Sequence, residues 1–304
     1  LKIAVMGAGA LGSVFGGMLA QAGEDVVLIG RKPHMEAVSQ RGLRITGIFG
    51  EHHVKVRAVT SPPEEEQDLV ILTVKSYDTA TATRDALPLV GRETIFIPIQ
   101  NGLGNIETVV EVIGRERVLG GMAIFGAVMR EPGWVEVTVM ASETLVGEID
   151  GGISKRAERI ADLFSRAGIP TKASPHIMRD VWMKAFYNIA LNPLSAVLGV
   201  PYGYLSDNKD ARSLVEKLVF EAVEVARKKG EVEIRAEEYL ETLWRDKLPP
   251  TREHTSSMLQ DIQRGRRTEI GHLNGAIVRM GREAGIPTPY NEAVTRIVRA
   301  LENR

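Results

Sequence analysis

The chain of 304 residues is 44% hydrophobic and 25% charged, the composition of an ordinary globular protein long enough for two domains. Its 38 Lys+Arg against 39 Asp+Glu leave a net charge of −1, which argues against a nucleic-acid or membrane-surface partner. With Cys 0, disulfides, thiolate nucleophiles and cysteine-held metals are excluded, and a reducing compartment fits.

The chain enters a strand pattern at once in LKIAVM, with no charged stretch followed by a signal-like apolar block, so a cytoplasmic location is expected. Through residue 120 the β-branched runs KIAVM, DVVLI, DLVILTV and TIFIPI alternate with helical stretches such as 11–22 and 78–90. That rhythm predicts a parallel sheet with helices on both faces. AIFGAVM and WVEVTVM flank the turn-like REPG and are followed by ETLVGEI; they read as an antiparallel extension of the same sheet, which would make it mixed. An amphipathic helix over 155–167 ends at Gly168, IPTKA offers a last short strand, and Ser174-Pro175 marks a domain boundary. The expected fold class is thus α/β over 1–174 followed by an all-α domain over 175–304. Its helices are read at 176–192, 209–229, 235–246, 256–264, 269–284 and 291–302. Residues 181–200 approach membrane length, but Lys184, Asn188, Asn192 and Pro193 interrupt them, so no membrane span is expected.

Gly7, Gly9 and Gly12 in MGAGALG follow the first strand and open a helix with the spacing G-x-G-x-x-G. Such glycines permit a tight turn, let a pyrophosphate approach the backbone, and allow the helix to pack close to its strand. The free N–H groups of the helix N-terminus complete an anion site. With strand, helix and next strand all in order, residues Gly7, Ala8, Gly9, Ala10, Leu11 and Gly12 are expected to bind a dinucleotide in a Rossmann-type domain. The second strand then delivers Gly30-Arg31-Lys32 where an NAD-binding domain commonly carries an acid. Arg31 can pair with a 2′-phosphate through its planar fork, so NADP(H) is preferred; a merely surface-exposed pair of cations is the alternative.

Two later strands end in polar groups, Lys75 after DLVILTV and Gln100, Asn101 and Gly102 after TIFIPI. Each suits a strand-end cation or a turn by itself, and each equally suits a ligand at the carboxyl edge of a parallel sheet.

In VWMKAFYNIALNPL, Lys184 and Asn188 share a helix face and Asn192 lies one turn further. Desolvation would lower the lysine pKa and make it a candidate general acid; snorkelling from a half-buried helix explains the same residue types. Ser256 and Ser257 stand where a helix should start, able to cap it or to meet a carboxylate. Glu269 would lie roughly 18 Å from Ser257 on one unbroken helix, so a joint site requires a break, which Gly265 offers. The six histidines form no H-x-x-x-H pair, and His52-His53 fall on opposite faces of a strand, so no metal site is expected.

Taken in order, MGAGALG, LTVK, QNG, WMKAFYNIALNPLSA and SSMLQD…TEI resemble the ketopantoate reductase (2-dehydropantoate 2-reductase) family over nearly the whole chain. The resemblance implies reduction of the 2-keto group of ketopantoate by NADPH, a step toward pantothenate and coenzyme A. It implies Lys184 as general acid, Asn188, Ser257 and Glu269 as substrate-binding residues, and Arg31, Lys75 and Asn101 on the cofactor side, with Asn101 close to the nicotinamide. It further implies a helical domain after the Rossmann-type one, a substrate cleft between them, and a homodimer as an assembly. Some family members carry asparagine where this chain has Tyr202 and His254, both expected to border the substrate. A related reductase of another 2-keto acid, or a non-catalytic NADP-binding regulator, are the alternative readings.

Overall fold

The computed structural model describes residues 1–303 and divides the chain into two compact units. The first comprises residues 1–100 and 105–178, the second residues 101–104 and 179–304.

The first unit contains β1 (Lys2–Met6), α1 (Ala10–Gln21), β2 (Asp25–Ile29), α2 (Lys32–Arg41), β3 (Leu43–Gly47), β4 (His52–Val54) and β5 (Arg57–Val59). There follow β6 (Gln67–Leu72), α3 (Thr79–Asp85), β7 (Val90–Pro98), α4 (Asn105–Ile113), β8 (Leu119–Met122) and β9 (Phe125–Glu131). The last are β10 (Trp134–Met140), β11 (Thr144–Glu148), α5 (Lys155–Arg166) and β12 (Thr171–Ala173). A five-stranded sheet in the order β5-β2-β1-β6-β7 is parallel throughout. The chain leaves β1 toward β2 and β5, then returns to its other side with β6 and β7, so the strand order reverses beside β1, where ligands of such sheets bind.

Contrary to the expectation from sequence, the antiparallel strands do not extend that sheet. They form two further sheets, β4-β3-β10-β9 and β12-β11-β8, and it is in these that parallel and antiparallel pairs mix. A lone parallel bridge joins Phe96 to Val118 beyond β7. Pro98, the last residue of β7, has no N–H to carry the ladder onward, and β8 is instead packed by its glycines, Gly121 lying against Ile97 and Ile99. Of the short strands only β4 shows in the sequence, through His52-His53; β3 and β5 do not, being short and partly exposed.

This arrangement sandwiches α1. Beside Gly16 lie Leu28 and Val5 of the parallel sheet, and beside Gly17 lie Ile45 and Leu43 of the second sheet. Phe15 meets Phe164 of α5 at 5.3 Å edge-on and Phe125 of β9 at 5.5 Å. A helix buried on both sides explains why its sequence is apolar nearly all round.

The second unit is helical: α6 (Ile177–Leu198, entering it at Arg179), α7 (Tyr202–Asp207), α8 (Lys209–Lys228), α9 (Ala236–Thr242), α10 (Ser257–Gln263), α11 (Asn274–Ala284) and α12 (Pro289–Glu302). Its core is built on Trp182 and Phe186 of α6 with Tyr239 of α9, Phe186 and Tyr239 stacking edge-on at 5.3 Å. Burying side chains of this size is worth roughly 1.5–3 kcal/mol each. The expected end of α6 at residue 192 is wrong: the helix runs through Pro193 to Leu198. Proline deprives the Ile189 carbonyl of its helical donor, and Asn274 Nδ2 replaces that donor at 3.1 Å. Asn274 Nδ2 also donates to Asn291 Oδ1 at 3.0 Å, tying α6, α11 and α12 together. Among the described residues no helix is long and apolar enough to cross a membrane.

Candidate active site

The glycine loop joins β1 to α1 and its three glycines are glycine for different reasons. Gly7 has φ +90, and a Cβ there would come within 2.5 Å of the Val74 backbone nitrogen. A Cβ at Gly12 would meet Thr73 Oγ1 at 2.3 Å and the Gly7 carbonyl at 2.8 Å. Internal packing therefore accounts for both. Gly9 is exposed, has φ −85, and a Cβ there would find nothing nearer than the Gly7 carbonyl at 3.8 Å. The protein itself does not demand glycine at that position, whereas a pyrophosphate drawn to the backbone would. Gly9 caps a twelve-residue helix that offers its first N–H groups at Ala10, Leu11 and Gly12, with Ala8 buried beneath. The loop thus fits a dinucleotide.

Arg31 caps α2 immediately after β2 and is exposed. Lys32 pairs with Glu36 at 3.6 Å, whereas Arg31 has no ion-pair partner among the described residues. Lys75 is half-buried and precedes a short 3-10 turn after β6. Gln100, beyond β7, donates to the Val74 carbonyl at 2.9 Å and to Thr79 Oγ1 at 2.7 Å, so it organises the strand ends rather than facing outward.

Asn101, next in the chain, groups with the helical unit. The loop it opens is pinned there: Leu103 N donates to the His272 carbonyl at 2.7 Å, and Gly102, at φ +89, leaves that carbonyl room that a Cβ would close to 2.7 Å. His272 ends the 3-10 turn that Glu269 begins. One turn of chain therefore sets the spacing between Asn101 and Glu269.

The break after α10 is real. Arg264 and Gly265, the latter at φ +60, stop the helix, and the chain turns so that Thr268 donates through both N and Oγ1 to Glu302. Ser257 and Glu269 are consequently brought to one pocket, lined by Asn101, Asn192, Ser257, Met258, Asp261, Glu269 and Leu273. Ser256, buried, caps α10 by accepting from Leu259 N at 3.0 Å, which leaves the exposed Ser257 hydroxyl for the pocket. Glu269 is buried. Lys184 retains some exposed surface, yet burial of its ammonium brings its pKa down to about 8 against the opposing influence of the Glu269 charge. Asn188 is half-buried four residues along α6.

Met258, Asp261 and Leu273 as pocket residues escape the sequence reading, which also gives Asn192 no part in binding. Asp261 follows Ser257 by one helical turn, a signal that could have found it. Asn192 is both structural and pocket-lining: its Oδ1 accepts from the Tyr202 hydroxyl at 2.6 Å. Tyr202 is buried behind Asn192, and His254, half-buried, has its ring 5.4 Å from that of Tyr202. Neither residue is among those that line the pocket. Among the described residues no group of three or more His, Asp or Glu could hold a metal ion.

The family description ketopantoate reductase PanE/ApbA matches residues 3–151, and that of its C-terminal region matches residues 176–302. The chain is 40% identical over 303 residues to the 2-dehydropantoate 2-reductase of Pyrococcus horikoshii, covering 100% of this chain and 98% of that protein. Among solved structures, a PanE/ApbA family ketopantoate reductase from Ralstonia eutropha JMP134 superposes with TM-score 0.90 at 32% identity, over 100% of this chain and 99% of the other. D-mandelate dehydrogenase in ternary complex with NADH and anilino(oxo)acetate superposes with TM-score 0.92 at 29% identity, over 100% and 98%. Both regions of the fold and the full-length relatives agree, and the chain belongs to the ketopantoate reductase (PanE/ApbA) family of oxidoreductases.

Proposed function

We propose that this protein reduces the 2-keto group of 2-dehydropantoate to the alcohol with NADPH, in the pathway to pantothenate and coenzyme A. The observation that carries the reading is the lysine of α6, whose pKa lies at about 8 and which feels the charge of Glu269, a residue of the Asn101 and Ser257 pocket. Lys184 acts as general acid. A group with a pKa near neutral is largely protonated in neutral solution and yet yields its proton readily, so Lys184 can protonate the carbonyl oxygen as negative charge develops there. Glu269 keeps the ammonium from losing its proton too early, because its charge opposes the effect of burial. Ser257 and Asn188 offer hydrogen bonds that orient the keto acid, and the apolar wall of Met258 and Leu273 helps to exclude water.

The glycine loop of Gly7, Ala8, Gly9, Ala10, Leu11 and Gly12 would hold the pyrophosphate of the nicotinamide dinucleotide, which supplies the hydride when bound. Arg31 would receive the 2′-phosphate that distinguishes NADPH, and Lys75 and Asn101 complete the cofactor side.

A second reading is favoured by the likeness to D-mandelate dehydrogenase bound to NADH and anilino(oxo)acetate: another 2-keto acid as substrate, with Tyr202 and His254 placing aromatic rings behind the pocket. Steady-state rates on 2-dehydropantoate and a panel of 2-keto acids, each with NADPH and with NADH, separate the two. The highest kcat/KM is expected for 2-dehydropantoate with NADPH; a higher value on another acid removes the narrower reading. Lys184→Ala should lower kcat by at least about a hundredfold while NADPH still binds, and unchanged turnover would remove the mechanism.

A further inference from the structure

Tyr202, the first residue of α7, is buried at the back of the pocket wall. It is fixed by two neighbours, Tyr187 and His254. Tyr187 stacks edge-on at 5.7 Å, the His254 ring lies at 5.4 Å, and the Tyr202 backbone N–H donates to the His254 carbonyl at 3.2 Å. The hydroxyl so placed donates to Asn192 Oδ1 at 2.6 Å, the one acceptor it has among the described residues. Asn192 is held a second time through its backbone carbonyl, which accepts from Ser256 Oγ at 3.4 Å.

An asparagine amide can be turned either way unless a neighbour decides. Here the neighbour decides. Turning the amide over would put its NH2 against the phenol and leave a buried O–H without an acceptor, the arrangement that interiors avoid. With the oxygen committed to Tyr202, what Asn192 has to offer the pocket is its NH2, a pair of donors. A pocket wall that would otherwise present either polarity is biased toward donation at that point, which suits the carboxylate of a 2-keto acid and disfavours ligands that need an acceptor there.

Resting on the keto-acid reading above, we infer that Tyr202 is a positioning residue for substrate recognition: its hydroxyl sets the Asn192 amide with NH2 toward the pocket and so selects for a carboxylate-bearing substrate. It touches no substrate itself. Its effect belongs to binding rather than to the proton or hydride step.

The test is a double-mutant cycle on the full-length enzyme with NADPH and 2-dehydropantoate. Tyr202→Phe, which keeps the ring and its packing, should raise KM for the keto acid about five- to tenfold, the usual range for a hydrogen bond that positions a ligand contact, with kcat and the KM for NADPH nearly unchanged. Asn192→Ala should raise the same KM, and adding Tyr202→Phe to it should add nothing. Asn192→Asp keeps the acceptor for Tyr202 and should raise KM further than Tyr202→Phe, because a carboxylate then faces a carboxylate. An unchanged KM in Tyr202→Phe, an unchanged KM in Asn192→Asp, or independent multiplication of the Tyr202 and Asn192 effects would overturn the assignment. The wild type run alongside keeps the two levels apart: no turnover of any 2-keto acid removes the functional reading and this inference with it. Normal turnover with a Tyr202→Phe KM like that of the wild type removes only the inference.

Discussion

Glu269 raises the pKa of Lys184, burial lowers it by more, and the balance falls at about 8. The lysine stands on the long helix α6, whose fold is independent of any reaction, while the glutamate starts a 3-10 turn reached only because Gly265 ends the preceding helix. Two residues separated by most of the second unit's sequence thereby share one electrostatic environment.

A pH profile follows from this pair. With Lys184 as the proposed general acid, kcat should hold below about pH 8 and fall above it as the ammonium is lost. Glu269→Gln removes the influence that raises the pKa, and the alkaline limb should then shift to lower pH. Initial rates across the alkaline range in both proteins decide the matter; a limb that stays in place in Glu269→Gln contradicts the coupling.

Cofactor preference should reside in Arg31. The side chain is exposed at the start of α2 and carries no ion pair among the described residues, so its removal should leave the fold intact. Arg31→Ala is expected to weaken NADPH by about tenfold or more and NADH little, since only the former offers a phosphate to the fork. Titration of both cofactors by fluorescence measures this, and equal losses would count against a 2′-phosphate contact.

The continuation of α6 through Pro193 should depend on Asn274. Asn274→Ala leaves the Ile189 carbonyl with neither its helical donor nor its side-chain substitute, for an expected loss of about 1–3 kcal/mol of stability. Pro193→Ala in the same chain supplies an N–H to that carbonyl and should recover part of the loss. Denaturant unfolding of the single and double variants reads both steps; no recovery would place the effect in the Asn291 contact instead.

Acid should destabilise the first unit through His34. Gly133 N donates to its Nδ1 at 2.9 Å, so the ring proton sits on Nε2, 2.8 Å from Ser13 Oγ in α1. Burial lowers the His34 pKa, which means the unfolded chain takes up the proton first. Its contribution to stability is therefore complete above the ordinary histidine value of about 6.5 and declines as pH falls below it toward the lowered folded value. His34→Gln should flatten that part of the thermal-melt profile, and an unaltered slope would show that other groups carry it.

Much of the fold was legible because period and punctuation are local. The glycine loop between KIAVM and an apolar helix, the β/α alternation, and the helical second half each follow from residues close in sequence. The division of the strands into three sheets was not legible, since a strand's neighbours depend on twist, on Pro98 at the end of β7 and on glycines that pack rather than pair. The end of α6 was misplaced at Pro193 for a similar reason: the residue that rescues the helix, Asn274, lies in α11.

By itself the sequence determined the chemical kinds available: a lysine in an apolar helix, a glycine cradle, an arginine after the second strand, serines ahead of a short helix. Tertiary structure alone decided their states. Whether Lys184 merely snorkels or is desolvated depends on what packs around its ammonium, and whether Ser257 and Glu269 meet depends on a turn at Gly265. Asn192 shows the difference most plainly. Its amide could face either way until a phenol ten residues along the chain, folded back by α7, took the oxygen. Hydrogen-bond polarity and pKa are set by neighbours through space, and a linear chain does not specify those neighbours until it has packed.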